Sequence, residues 1–410
     1  MSNTSQRVFL FLQGPISPFF RQIADGLENK GHKVLRINLC FGDWLFWQRK
    51  GASNYRGHLS NWPNYINLYL EKEKVTDIVL IGEQREYHKL AIAAAKQRNI
   101  QIITTDFGYL RPDWITLELN GMSGNSLFPK DPDAIKSLAA QIPEPNLSQQ
   151  FTDNFITQVF WDMSYHLSSI LLHVLYPFYR SHQIYHPISV YLGTGLHLLA
   201  TNFNKSKNQA VIDQLIKSNT AYFLFPLQMQ NDFQIRFYSK YPNLEAAIEE
   251  VISSFANHAP ADSVLVVKVH PLDPYLINWE KYCRSIANEQ GVSDRVLYID
   301  GGALNLLLEK ARGVVTINST VGIWTLLLGR PLITLGSAIY NIKGLTNFNS
   351  LNTFWQNPIA PDLSLRDAFI SALTGTIQIR GVFYHKPGLA AAVTEAIKRL
   401  HQNQINKVLL

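Results

Sequence analysis

Two short polar signatures close apolar runs between Ser263 and Thr320. The run SVLVVKVHP brings Lys268, His270 and Pro271 to the carboxyl end of a buried-type strand, and GVVTINSTVG ends on Asn318, Ser319 and Thr320 ahead of an apolar helical stretch. Open parallel sheets bind ligands beyond the carboxyl ends of their strands, and the first N–H groups of a helix receive anions. A histidine that donates or carries charge, a lysine two residues earlier on the same strand face, and a hydroxyl pair at a helix start therefore suit a phosphate. The set reads as half of a nucleotide-sugar site. Breaking a glycosyl phosphate needs fixed donors at the leaving oxygen and a proton source, and His270 can supply either. The plain alternatives are a loop at His-Pro, an exposed Lys268 and an ordinary N-cap at Ser-Thr.

A second constellation fills TTDFGYLRPDWITLELNG, residues 104–121, with Asp106, Arg111, Asp113 and Glu118 around Gly108, Tyr109 and Trp114. The stretch reads as too irregular for a simple element. Carboxylates at a strand end can serve as nucleophile or base; the alternative is a loop held by Arg–carboxylate pairs and turns about Pro112. A third set follows other strands. Gln13, Gly14 and Ser17 come after the first, where backbone can approach a ligand or simply turn. FGDWLFW sets Asp43 among aromatics, as a sugar or headgroup contact or as part of a core patch. PLQMQNDFQIRFYS offers Gln228, Asp232 and Gln234 as base or ribose contacts, or as a surface amide loop.

The elements that position these residues alternate. At 410 residues, two domains of about 150–200 residues are expected. RVFLFLQ, FFRQIADGLENKG closed by Gly31, KVLRIN, DIVLIG, REYHKLAIAAAKQRN and IQIITT read as strand, helix, strand, strand, helix, strand: a four-stranded Rossmann-like start. From Asp131 the chain reads as helical, with residues 151–180 packing on the first domain and the polar TNFNKSKNQ at 201–209 as the linker. Strands AYFLFPLQ, SVLVVKVHP, RVLYID, GVVTIN and PLITLG then alternate with helices. The fold class is α/β with two Rossmann-like doubly wound domains. Their expected limits are 1–205 and 206–385, with a terminal helix at 386–410 returning to the first domain.

Composition narrows the partners. A 46% hydrophobic, 17% charged chain is a packed globular protein. Its net charge of +6 favours anionic surroundings such as phosphates, acidic sugars or an acidic leaflet. The cations are dispersed, which argues against nucleic acid. Cys40 and Cys283 stand far apart and suit a reduced, cytoplasmic setting. The apolar run in MSNTSQRVFLFLQGP breaks at Gly14-Pro15 and reads as a first strand, not a signal peptide. No stretch is long enough to span a bilayer, so any membrane contact is expected to be peripheral.

The motifs FLQGPISPFF, NLCFGDWLFW, GYLRPDWITLE, PLQMQNDFQIRFYS, KVHPLDP, INSTVG, GSAIYNIKGLT and TIQIRGVFYHKPG occur in one order over nearly the whole chain. In these the chain resembles the capsule polysaccharide biosynthesis and export proteins of the KpsS/LipB type, retaining β-Kdo glycosyltransferases. The resemblance implies a glycosyltransferase-B architecture, its two domains facing across a cleft. It implies CMP-Kdo as donor substrate, no separate cofactor and no required metal. A lysophospholipid acceptor, lyso-phosphatidylglycerol, at the inner face of the cytoplasmic membrane is implied too, with other capsule proteins as possible partners. His270-Pro271 and Ser319-Thr320 resemble the signatures that hold cytidine monophosphate, Glu118 falls at the position of the nucleophile, and Asp106 falls at an acidic position before Gly-Tyr-Leu-Arg-Pro. Phe107 stands where the family carries a second acidic residue. The other readings are a transferase or epimerase using another nucleotide sugar on the same fold and a non-catalytic adaptor of capsule export.

Overall fold

The computed structural model describes residues 6–203, 205–218 and 220–408. Its strands are β1 (Val8–Phe11), β2 (Lys33–Asn38), β3 (Ala52–Asn54), β4 (Asp77–Ile81), β5 (Gln101–Phe107), β6 (Trp114–Leu119), β7 (Tyr222–Pro226), β8 (Val264–Lys268), β9 (Val296–Ile299), β10 (Gly313–Thr316), β11 (Leu332–Thr334) and β12 (Gln378–Arg380). The chain divides into two compact units. Unit 1 comprises Met1–Phe128, Ser137–His182 and Ile370–Leu410; unit 2 comprises Pro129–Lys136 and Gln183–Phe369. The divisions at 182/183 and 369/370 replace the sequence-based 205/206 and 385/386. Strand β12 adds itself to the sheet of unit 1, and His197 ties the preceding helix into unit 2.

Unit 1 holds a seven-stranded sheet in the order β12-β6-β5-β4-β1-β2-β3. Strands β3, β2, β1, β4 and β5 are parallel, while β6 runs antiparallel to β5 and β12 to β6. Side chains alternate between its two buried faces. Phe9, Phe11, Ile103 and Leu117 face one core, covered by the helices Phe19–Asn29 and Lys386–His401 through Ile23, Leu27, Ala392 and Ala396. Leu10, Leu12, Leu80 and Ile102 face the other, covered by Trp62–Lys72 and Glu86–Lys96.

Unit 2 holds a five-stranded, all-parallel sheet in the order β11-β10-β7-β8-β9. Strand β7, YFLFP, is buried at every position, as expected of a central strand covered on both faces. Phe223, Phe225, Val267 and Ile317 pack under the helix Leu244–His258 with Trp279 and Trp355.

Two stretches differ from the sequence reading. Residues 104–121 form a regular hairpin of β5 and β6, with Asp106 opposite Thr116 and Thr104 opposite Glu118. WITLEL does alternate, but both its faces are buried, so Thr116 and Glu118 sit inside rather than marking a solvent side. The polar stretch at 201–209 is not a linker. Its described residues belong to the helices Pro187–Phe203 and Lys205–Lys217, Asn204 lying outside the described residues. Residues 1–5 of the N-terminal stretch also lie outside them, and the apolar run that follows is β1.

Candidate functional site

In unit 2 the chain passes from β7 to β8 and β9 on one side, then crosses to β10 on the other. The reversal falls between the carboxyl ends of β7 and β10, the position at which doubly wound sheets place their ligands. Gln228 follows β7 and Asn318 follows β10, and the two are joined. Gln228 Nε2 donates to Asn318 Oδ1 at 3.2 Å, and the Asn318 backbone N–H donates to Gln228 Oε1 at 3.2 Å. Asn318 Nδ2 also donates to the Gln234 carbonyl at 2.7 Å, while Asp232 caps the helix Phe233–Tyr238. Both amides are buried and act as a brace between the strand ends. Ser319 Oγ accepts from the Val321 N–H at 3.2 Å. Thr320 occupies the N-cap of Val321–Leu327 without a side-chain cap bond, and both hydroxyl residues are half-buried.

Strand β8, the other neighbour of β7, ends on Lys268 and leads into His270. His270 Nδ1 accepts from the Leu272 N–H at 3.1 Å, which places the proton of the neutral ring on Nε2 and makes that nitrogen a donor. His270 is half-buried and Pro271 exposed. Lys268 is buried and donates through Nζ to the Gly301 carbonyl. Burial pulls its pKa down to about 8, with Asp300 acting in the opposite direction.

Beside this edge lies a pair the sequence did not reveal. His197 Nε2 stands 2.8 Å from Asp300 Oδ1, and Nδ1 stands 2.8 Å from the Asp273 carbonyl. The partners are far apart in the chain, and no local spacing announces them.

In unit 1 the corresponding reversal lies between β1 and β4. The residues expected to bind substrate here are largely engaged with one another. Gln13 Nε2 faces Asp43 Oδ2 at 3.2 Å, Tyr165 Oη at 3.0 Å and Tyr179 Oη at 3.2 Å. Asp43 accepts from the Leu39 N–H at 2.9 Å and pairs with Arg36 at 3.4 Å. Burial lowers the pKa of Arg36, opposed first by Asp43. Gln13, Arg36 and Asp43 are each under 5% exposed. Asp43 is thus a structural carboxylate in the aromatic patch rather than an open sugar contact. Ser17 is buried, and a Cβ on Gly14 would fall 2.3 Å from the Phe20 ring, so that glycine admits a side chain of its own unit. A small pocket opens here, lined by Gly14, Ser17, Arg36, Asp43, Trp47 and Tyr165.

The hairpin residues separate sharply. Asp113 is buried and receives Arg380 at 2.9 Å and the Gln150 N–H at 2.7 Å, with the Arg380 guanidinium over the Trp114 ring at 3.9 Å. It holds the fold, through an arginine from β12 rather than Arg111. Arg111 is exposed and lies over Phe107 at 4.9 Å. Glu118 is 0% exposed; Tyr109 Oη donates to Oε1 at 2.9 Å and Ser126 Oγ donates to Oε2. A carboxylate so enclosed has no surface through which to attack a sugar. Asp106, half-buried at the carboxyl end of β5, accepts the Phe107 N–H at 2.8 Å and is the carboxylate nearer the sheet edge. The buried Glu83 after β4, unmarked in the sequence, fixes the loop beyond β6 by accepting the Met122 N–H at 3.0 Å. Among the described residues no group of three or more His, Cys, Asp or Glu could hold a metal ion.

Two sheets with parallel strands between helices, each with polar residues at its carboxyl edge, define a protein of the doubly wound α/β class. Residues 76–384 match the family described as capsule polysaccharide biosynthesis protein, and the chain belongs to that family. It is 31% identical over 388 residues to the capsule polysaccharide export protein KpsS of Escherichia coli, covering 93% of this chain and 97% of that protein. It is 30% identical over 391 residues to the capsule polysaccharide modification protein LipB of Neisseria meningitidis serogroup B, covering 92% and 91%. The β-Kdo 2,7-transferase KpsC of Thermosulfurimonas dismutans aligns at a TM-score of 0.46 and 14% identity, covering 97% of this chain and 99% of that one.

Proposed function

We propose that this chain transfers β-Kdo from CMP-Kdo to a lysophospholipid, lyso-phosphatidylglycerol, to begin the linker of a capsular polysaccharide. It works as a peripheral protein at the inner face of the cytoplasmic membrane. The observation that carries this reading is the carboxyl edge of the unit 2 sheet. There the Gln228–Asn318 brace fixes the ends of β7 and β10, and His270 presents an Nε2 donor beside β7. A monoanionic nucleotide needs few fixed donors, which His270 and the Ser319 and Thr320 hydroxyls supply, while Lys268, held on the Gly301 carbonyl, adds its charge without direct contact.

In this mechanism the Asp106 carboxylate attacks the anomeric carbon as the bond to the phosphate oxygen breaks. The electron pair leaves with CMP, whose oxygen takes the hydrogen bond of His270. The acceptor hydroxyl then attacks the same carbon, its proton passes to water, and the bond to Asp106 breaks; two inversions give retention. Glu118, the nucleophile implied by resemblance, instead orients Tyr109 and Ser126 behind the hairpin. The test is CMP release from CMP-Kdo with lyso-phosphatidylglycerol, with the product's anomeric configuration read by NMR. Acceptor-dependent release with a β-linked product supports the reading, and an α-linked product sinks the double displacement.

A further inference from the structure

The helix Pro187–Phe203 of unit 2 is built inside out. Its seventeen residues, PISVYLGTGLHLLATNF, include no Asp, Glu, Lys or Arg, and its buried residue is a histidine, His197. The inward face is small or polar. His197 holds the Asp273 carbonyl and the Asp300 carboxylate, and the Thr201 hydroxyl reaches Asp300 at 3.4 Å. At Gly193 the neighbouring backbone comes so close that a Cβ would stand 2.0 Å from the Pro274 carbonyl oxygen. The outward face is apolar: Ile188 is 43% exposed, Leu192 65%, Leu196 69%, Leu199 60% and Phe203 84%. Their spacing of three or four residues makes one stripe along the helix. A helix on a water-facing surface is arranged the other way round, and a continuous exposed stripe of this kind marks a docking surface.

We propose that this stripe seats in the boundary between headgroups and acyl chains of an anionic phospholipid bilayer. The inference rests on the lipid-acceptor reading above and names the surface by which the protein reaches that lipid. Composition favours lipid over protein, because Ile, Leu and Phe alone form the stripe. Cores of protein interfaces draw on Trp, Tyr, Phe, Met and Arg within a polar rim, and of these the stripe holds Phe203 alone. Length favours lying flat: the helix is about 25 Å long, and no described helix is long and apolar enough to cross a membrane. Charge favours an anionic leaflet, since exposed Lys205 follows the helix and the chain carries +6.

The test is cosedimentation with vesicles of phosphatidylcholine alone or mixed with phosphatidylglycerol. The wild type is expected to bind the mixed vesicles, and Leu192→Ser with Leu196→Ser to weaken partitioning by about a hundredfold at unchanged melting temperature. Leu192→Cys carrying a polarity-sensitive dye should shift to the blue on the same vesicles, the native Cys40 and Cys283 being buried. Binding unaffected by the double substitution overturns the proposal. So does absence of wild-type binding together with a dimer, seen by sedimentation velocity, that the same substitutions dissociate; the stripe then belongs to a second copy. Turnover on detergent-dispersed lysophospholipid separates the two proposals. A double variant that keeps turnover there but loses vesicles supports docking, whereas stripe-dependent binding without any turnover removes the transferase reading alone.

Discussion

Gln228 and Asn318, ninety positions apart, exchange two hydrogen bonds of 3.2 Å across the reversal of the unit 2 sheet. Both amides bond to protein groups, and together they hold the ends of β7 and β10 in register. Gln228→Ala removes the acceptor of a buried backbone N–H and should cost about 1–3 kcal/mol in denaturant unfolding. CMP affinity, measured by calorimetry, should fall about tenfold with it. Unchanged stability with lost affinity would make Gln228 a direct ligand instead.

Asp43 belongs to a closed network with Arg36, Gln13 and Tyr165. Asp43→Ala strands a buried guanidinium and should destabilise unit 1 by about 3–5 kcal/mol. The check is chemical denaturation. A raised KM in a protein of normal stability would return Asp43 to the substrate.

The two hairpin carboxylates should part company on substitution. Asp106→Asn is expected to lower kcat more than about a thousandfold, or about 4 kcal/mol of barrier, with the melting curve unchanged. Glu118→Gln should keep kcat within a few fold, while the buried Tyr109 and half-buried Ser126 partners impose about 1–2 kcal/mol of lost stability. Single-turnover kinetics beside thermal melts distinguishes these outcomes from the reverse.

Lys268 gives a pH signature. Its pKa in the folded protein is lowered to about 8 from 10.5, chiefly by burial. Between those values the unfolded chain binds more protons than the folded one, so unfolding free energy rises with pH across that window. Below pH 8 the cost of the buried ammonium is present in full. Lys268→Met should flatten the rise between pH 8 and 10.5 in urea titrations; an equal slope in both proteins would refute the assignment.

Much of this architecture was legible in the residues. All five strands of unit 2 are apolar runs bounded by turns, and KVHP and NST stand at strand ends as read. Strands β3 and β12, three residues each, are too short to leave a periodic trace. Strand β6 hid because Thr116 and Glu118 are buried polar residues, which breaks the link between polarity and exposure. For the same reason spacing alone left Glu118 and Asp106 equivalent. Only their surroundings separate an enclosed carboxylate from one at the sheet edge. The His197–Asp300 pair and the Arg380–Asp113 pair join distant segments, and nothing local encodes either.

The most direct measurement of the central claim is acceptor-dependent release of CMP from CMP-Kdo by wild type and His270→Ala. The account predicts release that requires lyso-phosphatidylglycerol and falls at least about a hundredfold in the variant at unchanged stability. A folded wild-type protein that releases no CMP with this acceptor, or a His270→Ala protein that turns over at the wild-type rate, would contradict it.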